Sequence, residues 1–401
     1  MIEDFFNSLL HFPSYWIVDK IDHDWETDEV FIYVRFEAKE YKEAYPELYH
    51  GLHDYNSYRT WRHLDILQYK TYIKARLPRL KDKKGNVRTL EPFWGDITGR
   101  TTYLFERRII DTLIATKNQT KTGSLLQCSF SVVNRILHSS TQRGLQRREE
   151  NIIYKQLSID EKSFKKGHNY VTVLSNPQTG HIIDVSEGRT KTSCKGLINN
   201  NLNAKQKKHV EQVSVDMWEA FMNSVKEILP KSKIVHDRFH LIQYLNKAVD
   251  LVRRREVKIH EELKNSRYAL LKNKFNLTIK QHFKFEEVIK LNTKVSLAWR
   301  LKESFKSLFN SPDYQEAYRR FSDWLDFCHW ENIPEVVKVA KMFTNHIVGV
   351  CNALVETISN AMAERLNGKI QELKTVARGY RTFENFRSAI LFFNGGLNLY
   401  P

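Results

Sequence analysis

The sequence predicts an α/β protein in which a mixed sheet is covered by helices, and three observations predict it. From Asn151 onward the chain carries three consecutive short apolar, β-branched runs, and a turn signal, Asn176-Pro177-Gln178-Thr179-Gly180, joins the second to the third. Helix and strand patterns then alternate, which suits helices packed on a sheet. Two of the strand-like runs end in an aspartate, and a strong helix former far downstream carries a glutamate.

In order, the expected elements are a strand ending at Asp160, strands over Tyr170–Asn176 and His181–Glu187, and a polar helix around Leu202–Val210. A strand ending at Asp216, a helix from Met217 to Leu229 and a strand "KIVHD" follow. This is the order of the ribonuclease H fold, whose first and fourth strands are neighbours, so Asp160 and Asp216 are expected side by side. Glu364 lies in "SNAMAERLNGKIQELK", where Asn360, Asn367 and Gln371 share its helix face while Leu366, Ile370 and Leu373 form an adjoining apolar stripe. Three such carboxylates can hold two Mg²⁺ or Mn²⁺ ions, because hard cations take oxygen ligands and a metal pair serves phosphoryl transfer. The chain has 47 acidic residues, so carboxylates alone single out nothing. The order of the elements is what selects Asp160, Asp216 and Glu364. Asp237 and His240, in "HDRFH" after the fifth strand, are possible accessory residues.

Lys and Arg number 63 against the 47 acids, a net charge of +16, which favours a polyanionic partner. The excess is spread over "KARLPRLKDKKGNVR", "QRGLQRR", "VRRREVK" and "ARGYR" and is interleaved with Trp61, Tyr69, Tyr72, Tyr380, Phe383 and Phe386. Four cysteines without a C-x-x-C pair argue for a reducing compartment and against a disulfide scaffold or a Cys-rich zinc site. Neither a membrane-length apolar run nor a basic signal-peptide start is present, so a cytoplasmic, nucleoid-associated protein without a membrane partner is expected.

The rest of the chain divides by pattern. An N-terminal segment, 1–44, precedes a small β module over 45–98, read from the alternating "WRHLDILQYKTYIKARLP". Apolar spacing for two or three short helices, interrupted by polar "KNQTKTGS", gives a helix-turn-helix-like region over 99–150. The catalytic core occupies 151–252 and 351–401, split by a helical stretch over 253–350 with buried-looking anchors Leu297, Trp299, Phe309, Trp324 and Trp330.

Five blocks, taken together, carry a resemblance: "TWRHLDILQYKTYIKARLPR", "IDEKSFKKGHNYVTVL", "VSVDMWEAF", "IVHDRFHLIQYLNKAVDLVRRRE" and "SNAMAERLNGKIQELKTVARGYRTFENFRSAIL". In them the chain resembles bacterial insertion-sequence transposases of the DDE type, in the ISL-three family. The resemblance implies binding of terminal inverted repeats, metal-dependent strand cleavage and strand transfer, with double-stranded DNA as partner and a homodimer or higher oligomer on it. Asp160 would bridge two ions, with Asp216 and Glu364 holding one each. Lys369, Lys374, Arg378 and Arg381 would grip phosphates at the site, and Arg143, Arg147 and Arg148 would bind DNA beside a recognition helix over Ser129–Leu137. The chain departs from the family before "TWRHLD": Tyr45 and Leu48 stand where a zinc ribbon has a cysteine pair, and His50, His53 and Asp54 do not replace it. No zinc is therefore expected, which leaves open a catalytically silent DNA-binding regulator. A structure-specific ribonuclease-H-like nuclease that cuts without joining is the other alternative.

Overall fold

The computed structural model describes residues 2–165, 169–291, 293–356 and 360–401, with the side chains of 360–364 outside the described residues. The chain forms two compact units, 1–147 with 398–401, and 148–397.

The first unit is built on a sheet of five strands: β1 (Trp16–Asp24), β2 (Glu29–Phe36), β3 (Leu52–Arg62), β4 (Lys70–Lys81) and β5 (Val87–Thr89). The order is β1-β2-β4-β3, with β5 on β4 and β2 parallel to β4. β2 alternates strictly, burying Val30, Ile32, Val34 and Phe36. Its buried face must be continued by a neighbour, and β4 continues it with Ile73, Ala75 and Leu77. The sheet thus takes in Trp16–Phe36, which the sequence pattern set apart as an N-terminal segment. Trp94 packs edge-on to Trp16 and Trp61, with ring centres 4.9 Å and 5.7 Å away. In the segment from Tyr45 to Asp54, Asp54 is paired with Arg79, and the His50 ring lies 3.1 Å from the Glu47 carbonyl.

Three helices follow, Tyr103–Thr116, Gln119–Leu125 and Phe130–Gln146. The polar stretch expected to interrupt them is mostly helix itself. Asn118 caps that helix by accepting from the Lys121 N–H at 2.9 Å, and Thr122 and Gly123 are buried. A Cβ on Gly123 would stand 2.7 Å from the Cys128 carbonyl, so only glycine allows this turn to close.

The second unit carries β6 (Gln156–Lys165), β7 (Asn169–Asn176), β8 (His181–Glu187), β9 (Gln212–Val215) and β10 (Lys233–His236). Their order is β10-β9-β6-β7-β8; β6, β9 and β10 run parallel, and the β6-β7-β8 pairs are antiparallel. Helices Lys191–Asn201 and Glu219–Ile228 pack on it through Cys194, Leu197, Ile198, Phe221 and Val225. One expectation is corrected: β6 does not end at Asp160 but runs on to Lys165, because β7 continues to pair with it after β9 has stopped at Val215.

A helical array then extends from helix Arg238–Glu256 to helix Ile347–Val355, around Trp299, Phe305, Phe321, Trp324 and Phe343. Trp330, expected as an anchor, is 86% exposed, because helix Tyr314–Glu331 turns its Trp324 and Cys328 face inward instead. Helix Asn360–Val376 buries Leu366, Ile370 and Leu373, and helix Phe383–Asn394 is tied to β8 by Arg387, which donates twice to Asp184 at 2.7 Å and 3.0 Å.

Candidate active site

The parallel ladder aligns Ile159 of β6 with Val215 of β9, and Val215 with His236 of β10. One residue beyond that rung stand Asp160, Asp216 and Asp237, three aspartates in one row at the same end of three adjacent strands. Neighbouring strands are about 4.8 Å apart, so adjacent members of such a row can share a ligand.

Two of the three share their local chemistry and the third differs. Oδ1 of Asp160 and of Asp216 accepts from the next residue's N–H at 2.7 Å, which fixes the carboxylate plane. Asp237 instead accepts from the Phe239 N–H at 2.8 Å and caps helix Arg238–Glu256. Burial raises the Asp237 carboxyl above its ordinary value. The sequence placed Asp237 among possible accessory groups; here it closes a helix end beside the other two aspartates.

His240 lies three residues into that helix, one turn from the cap, which is why the Asp-x-x-His spacing brings its ring back over the strand ends. Its Nε2 is 3.8 Å from Asp160 Oδ1 and its Nδ1 3.8 Å from Asp216 Oδ2. Those distances exceed a direct hydrogen bond, so the ring acts by charge between two carboxylates. Burial would lower its pKa, but Asp160, Asp216 and Asp237 raise it to about 9. Asp160 is shifted the other way. Burial pushes its carboxyl up, yet His240 and the Lys162 ammonium, 2.6 Å from Oδ2, hold it at about 2. Lys162 was missed in the sequence, although the strand period of two puts it on the same face as Asp160.

Glu364 belongs to helix Asn360–Val376, but its side chain lies outside the described residues. The C-terminal part of this helix is tied to β6, since the Lys374 ammonium donates to the Ser163 carbonyl at 2.6 Å. Nearby, Lys165 donates to the Arg381 carbonyl at 2.6 Å. Arg378 and Arg381 are exposed and Lys369 is half-buried. The arginines expected beside the recognition helix are otherwise engaged. Arg143 pairs with Glu106 and donates to the Leu399 carbonyl, Arg147 donates to the Tyr400 carbonyl, and Arg148 donates to the Ile183 carbonyl at 2.8 Å. Among the described residues no three His, Cys, Asp or Glu side chains gather closely enough to hold a metal ion, and no helix is long and apolar enough to cross a membrane.

Residues 157–390 match a family described as transposase, and the chain belongs to it: the ISL-three family of insertion-sequence transposases. It is 25% identical over 354 residues to the transposase for insertion sequence element IS1557 of Mycobacterium tuberculosis, covering 81% of this chain and 79% of the relative. It is also 24% identical over 238 residues to the transposase for insertion sequence element IS1001 of Bordetella parapertussis, covering 57% and 58%.

Proposed function

We propose that the chain binds the terminal inverted repeats of an insertion sequence and carries out metal-dependent strand cleavage and strand transfer, using a ribonuclease-H-like core of the DDE type. The observation that carries this reading is the placement of Asp160 and Asp216 one residue beyond the same rung of a parallel ladder. Their chemistry fits a hard divalent cation. Both are carboxylates with one oxygen fixed by a backbone N–H, Asp160 is ionised down to about pH 2, and two cationic side chains, Lys162 and His240, are already drawn to them. Asp160, Asp216 and Glu364 would hold two Mg²⁺ or Mn²⁺ ions. When bound, such a pair activates the attacking oxygen and neutralises the leaving one.

The chain's own groups do the rest. Lys369, Lys374, Arg378 and Arg381 grip the phosphates flanking the scissile bond, so binding falls steeply with salt. Helices Gln119–Leu125 and Phe130–Gln146 act as a helix-turn-helix, with Ser129–Leu137 in the major groove and Phe130, Ser131 and Arg135 exposed on it. For Arg143, Arg147 and Arg148 to reach phosphates they would have to leave their carbonyl partners, as Lys374 would have to leave the Ser163 carbonyl, so these four contribute less than Lys369, Arg378 and Arg381. Double-stranded DNA is the partner, engaged by a homodimer or larger assembly in the nucleoid. No zinc is needed in this reading.

The test is single-turnover cleavage and joining of a duplex taken from the DNA that brackets the gene, with Mg²⁺. Asp160→Asn, Asp216→Asn and Glu364→Gln are expected to lower both steps by about a thousandfold or more while sparing DNA binding. Asp237→Asn and His240→Ala are expected to lower them only partially. Near-normal cleavage by Asp216→Asn with a dead Asp237→Asn would assign the second metal ligand to Asp237 instead.

A further inference from the structure

Two residues past Asp216 stands Trp218, the residue that opens helix Glu219–Ile228. Helix starts favour Ser, Thr, Asp or Asn, whose side chains accept from the first free N–H groups. This chain follows the rule at Thr102, Asn118, Ser129, Thr190, Asn203, Asp237, Thr278, Asp313 and Thr382. At Trp218, as at Glu37, Ile333 and His346, no side chain caps the helix, and here the residue is an indole that is 43% exposed. Neither local helix stability nor core packing accounts for an open tryptophan there.

The ring is nonetheless held. Its Nε1–H donates to the Arg189 carbonyl at 3.1 Å, and the Arg189 guanidinium lies over the ring 4.9 Å from its centre. The same guanidinium lies 4.3 Å from the centre of the Tyr170 ring and 3.3 Å from Glu161, the residue after Asp160. A brace therefore runs from the residue after Asp160 to the second residue after Asp216. Because Glu161 partly neutralises Arg189, the guanidinium supports the ring more than it offers charge to a phosphate. What remains presented is indole surface, fixed in orientation before any ligand arrives.

Rigid, open aromatic surface beside a site acting on DNA matches one chemistry, the π face of a nucleobase, which stacks on indole whatever the base. We propose that Trp218 is a stacking platform for the base of a nucleotide adjoining the scissile phosphate, braced by Arg189. The proposal rests on Asp160 and Asp216 being the site of cleavage. Trp218 touches substrate without taking part in proton or phosphoryl transfer, and it reads the presence of a base, not its identity.

The experiment uses the full chain and the bracketing duplex, with 2-aminopurine placed in turn at each nucleotide around the cut. Trp218→Ala should slow single-turnover cleavage between about 5- and 150-fold, and Trp218→Phe should keep most of the rate. Trp218→Ser, whose hydroxyl can cap the helix, should match or exceed the parent in thermal stability while cleaving as slowly as Trp218→Ala, which separates stacking from folding. In the inactive Asp160→Asn background, one 2-aminopurine position should be quenched by Trp218 and not by its alanine variant. An abasic nucleotide at that position should erase the difference between parent and Trp218→Ala. Normal cleavage by Trp218→Ala and Trp218→Ser, or equal losses on intact and abasic DNA, would overturn the platform. Full activity of Asp160→Asn would instead overturn the assignment of the site itself.

Discussion

Arg378 follows helix Asn360–Val376 with φ at +54°, ahead of Gly379 at +95°. A side chain with a Cβ holds that left-handed conformation at a cost of about 1–2 kcal/mol, which glycine avoids. The turn is closed by the Arg378 N–H to the Thr375 carbonyl at 3.1 Å and the Gly379 N–H to the Lys374 carbonyl at 2.9 Å, bonds that need no arginine side chain. Arg378→Gly is therefore expected to raise stability by about 1 kcal/mol while weakening DNA binding, checked by denaturant melts beside filter binding. Unchanged affinity would remove Arg378 from the phosphate contacts. His63 is buried, its Nδ1 is 3.0 Å from the Thr102 hydroxyl, and burial together with the Arg62 charge lowers its pKa from 6.5 to about 4. The unfolded chain takes up this proton near its ordinary pKa and the folded chain does not. The contribution is thus complete above pH 6.5 and is lost as pH falls toward 4, by roughly 3 kcal/mol. His63→Gln should flatten that part of the stability profile, and an unchanged slope would place the acid sensitivity elsewhere. The placement of Asp160 beside Asp216 was legible in the sequence because each follows a short apolar run, although β6 continues past its aspartate to Lys165. The pairing of Lys162 with Asp160 and the brace of Arg189 on Trp218 were not, since they depend on which strands become neighbours.

Elements were legible where one period dominated. β7 and β8 fall where their β-branched runs and the Asn176–Gly180 turn put them, and β9 and β10 follow their short apolar runs. β1 was missed because "WIVDKIDHD" buries only Trp16 and Val18 and breaks its alternation with five charged or polar residues after them, so its place is set by pairing with β2 and not by its own pattern. Polar "KNQTKTGS" was read as an interruption for a related reason: helix Gln119–Leu125, which covers most of it, is fixed by a cap and by contact with the next turn, neither of which shows in apolar spacing. The Gly123 position supplies the test. Gly123→Ala would force a methyl to 2.7 Å from the Cys128 carbonyl, against backbone that cannot give way cheaply, even though alanine is the better helix former. A loss of about 1–3 kcal/mol is expected by thermal melting. A gain would mean that helix propensity outweighs the clash and that the turn is looser than it stands here.

Across the whole molecule, residues 398–401 belong to the first unit although they end the chain. Leu399 is buried there, the Tyr400 hydroxyl donates to Asp111 at 2.7 Å, and the Leu399 and Tyr400 carbonyls accept from Arg143 and Arg147. Removing 398–401 is expected to lower the stability of the first unit by about 1–3 kcal/mol and to free these two arginines. Hydrogen exchange over Tyr103–Gln146 measures it, and unaltered protection would show the tail to be dispensable. No reading of the sequence foresaw this return, because four residues carry no periodicity. The helical array is closed off in a comparable way. Arg238, in the first turn after β10, donates to the Ala353 carbonyl at 2.8 Å and the Glu356 carbonyl at 2.9 Å, and Asn352 donates to the Ile234 carbonyl at 2.7 Å. More than a hundred residues thus leave and re-enter the core at one clasp. Closing a longer loop costs only about 0.6 kcal/mol per doubling of its length. With the doorway fixed, the excursion can lengthen, shorten or acquire new surfaces over evolutionary time while the helix bearing Glu364 still starts from the same threshold.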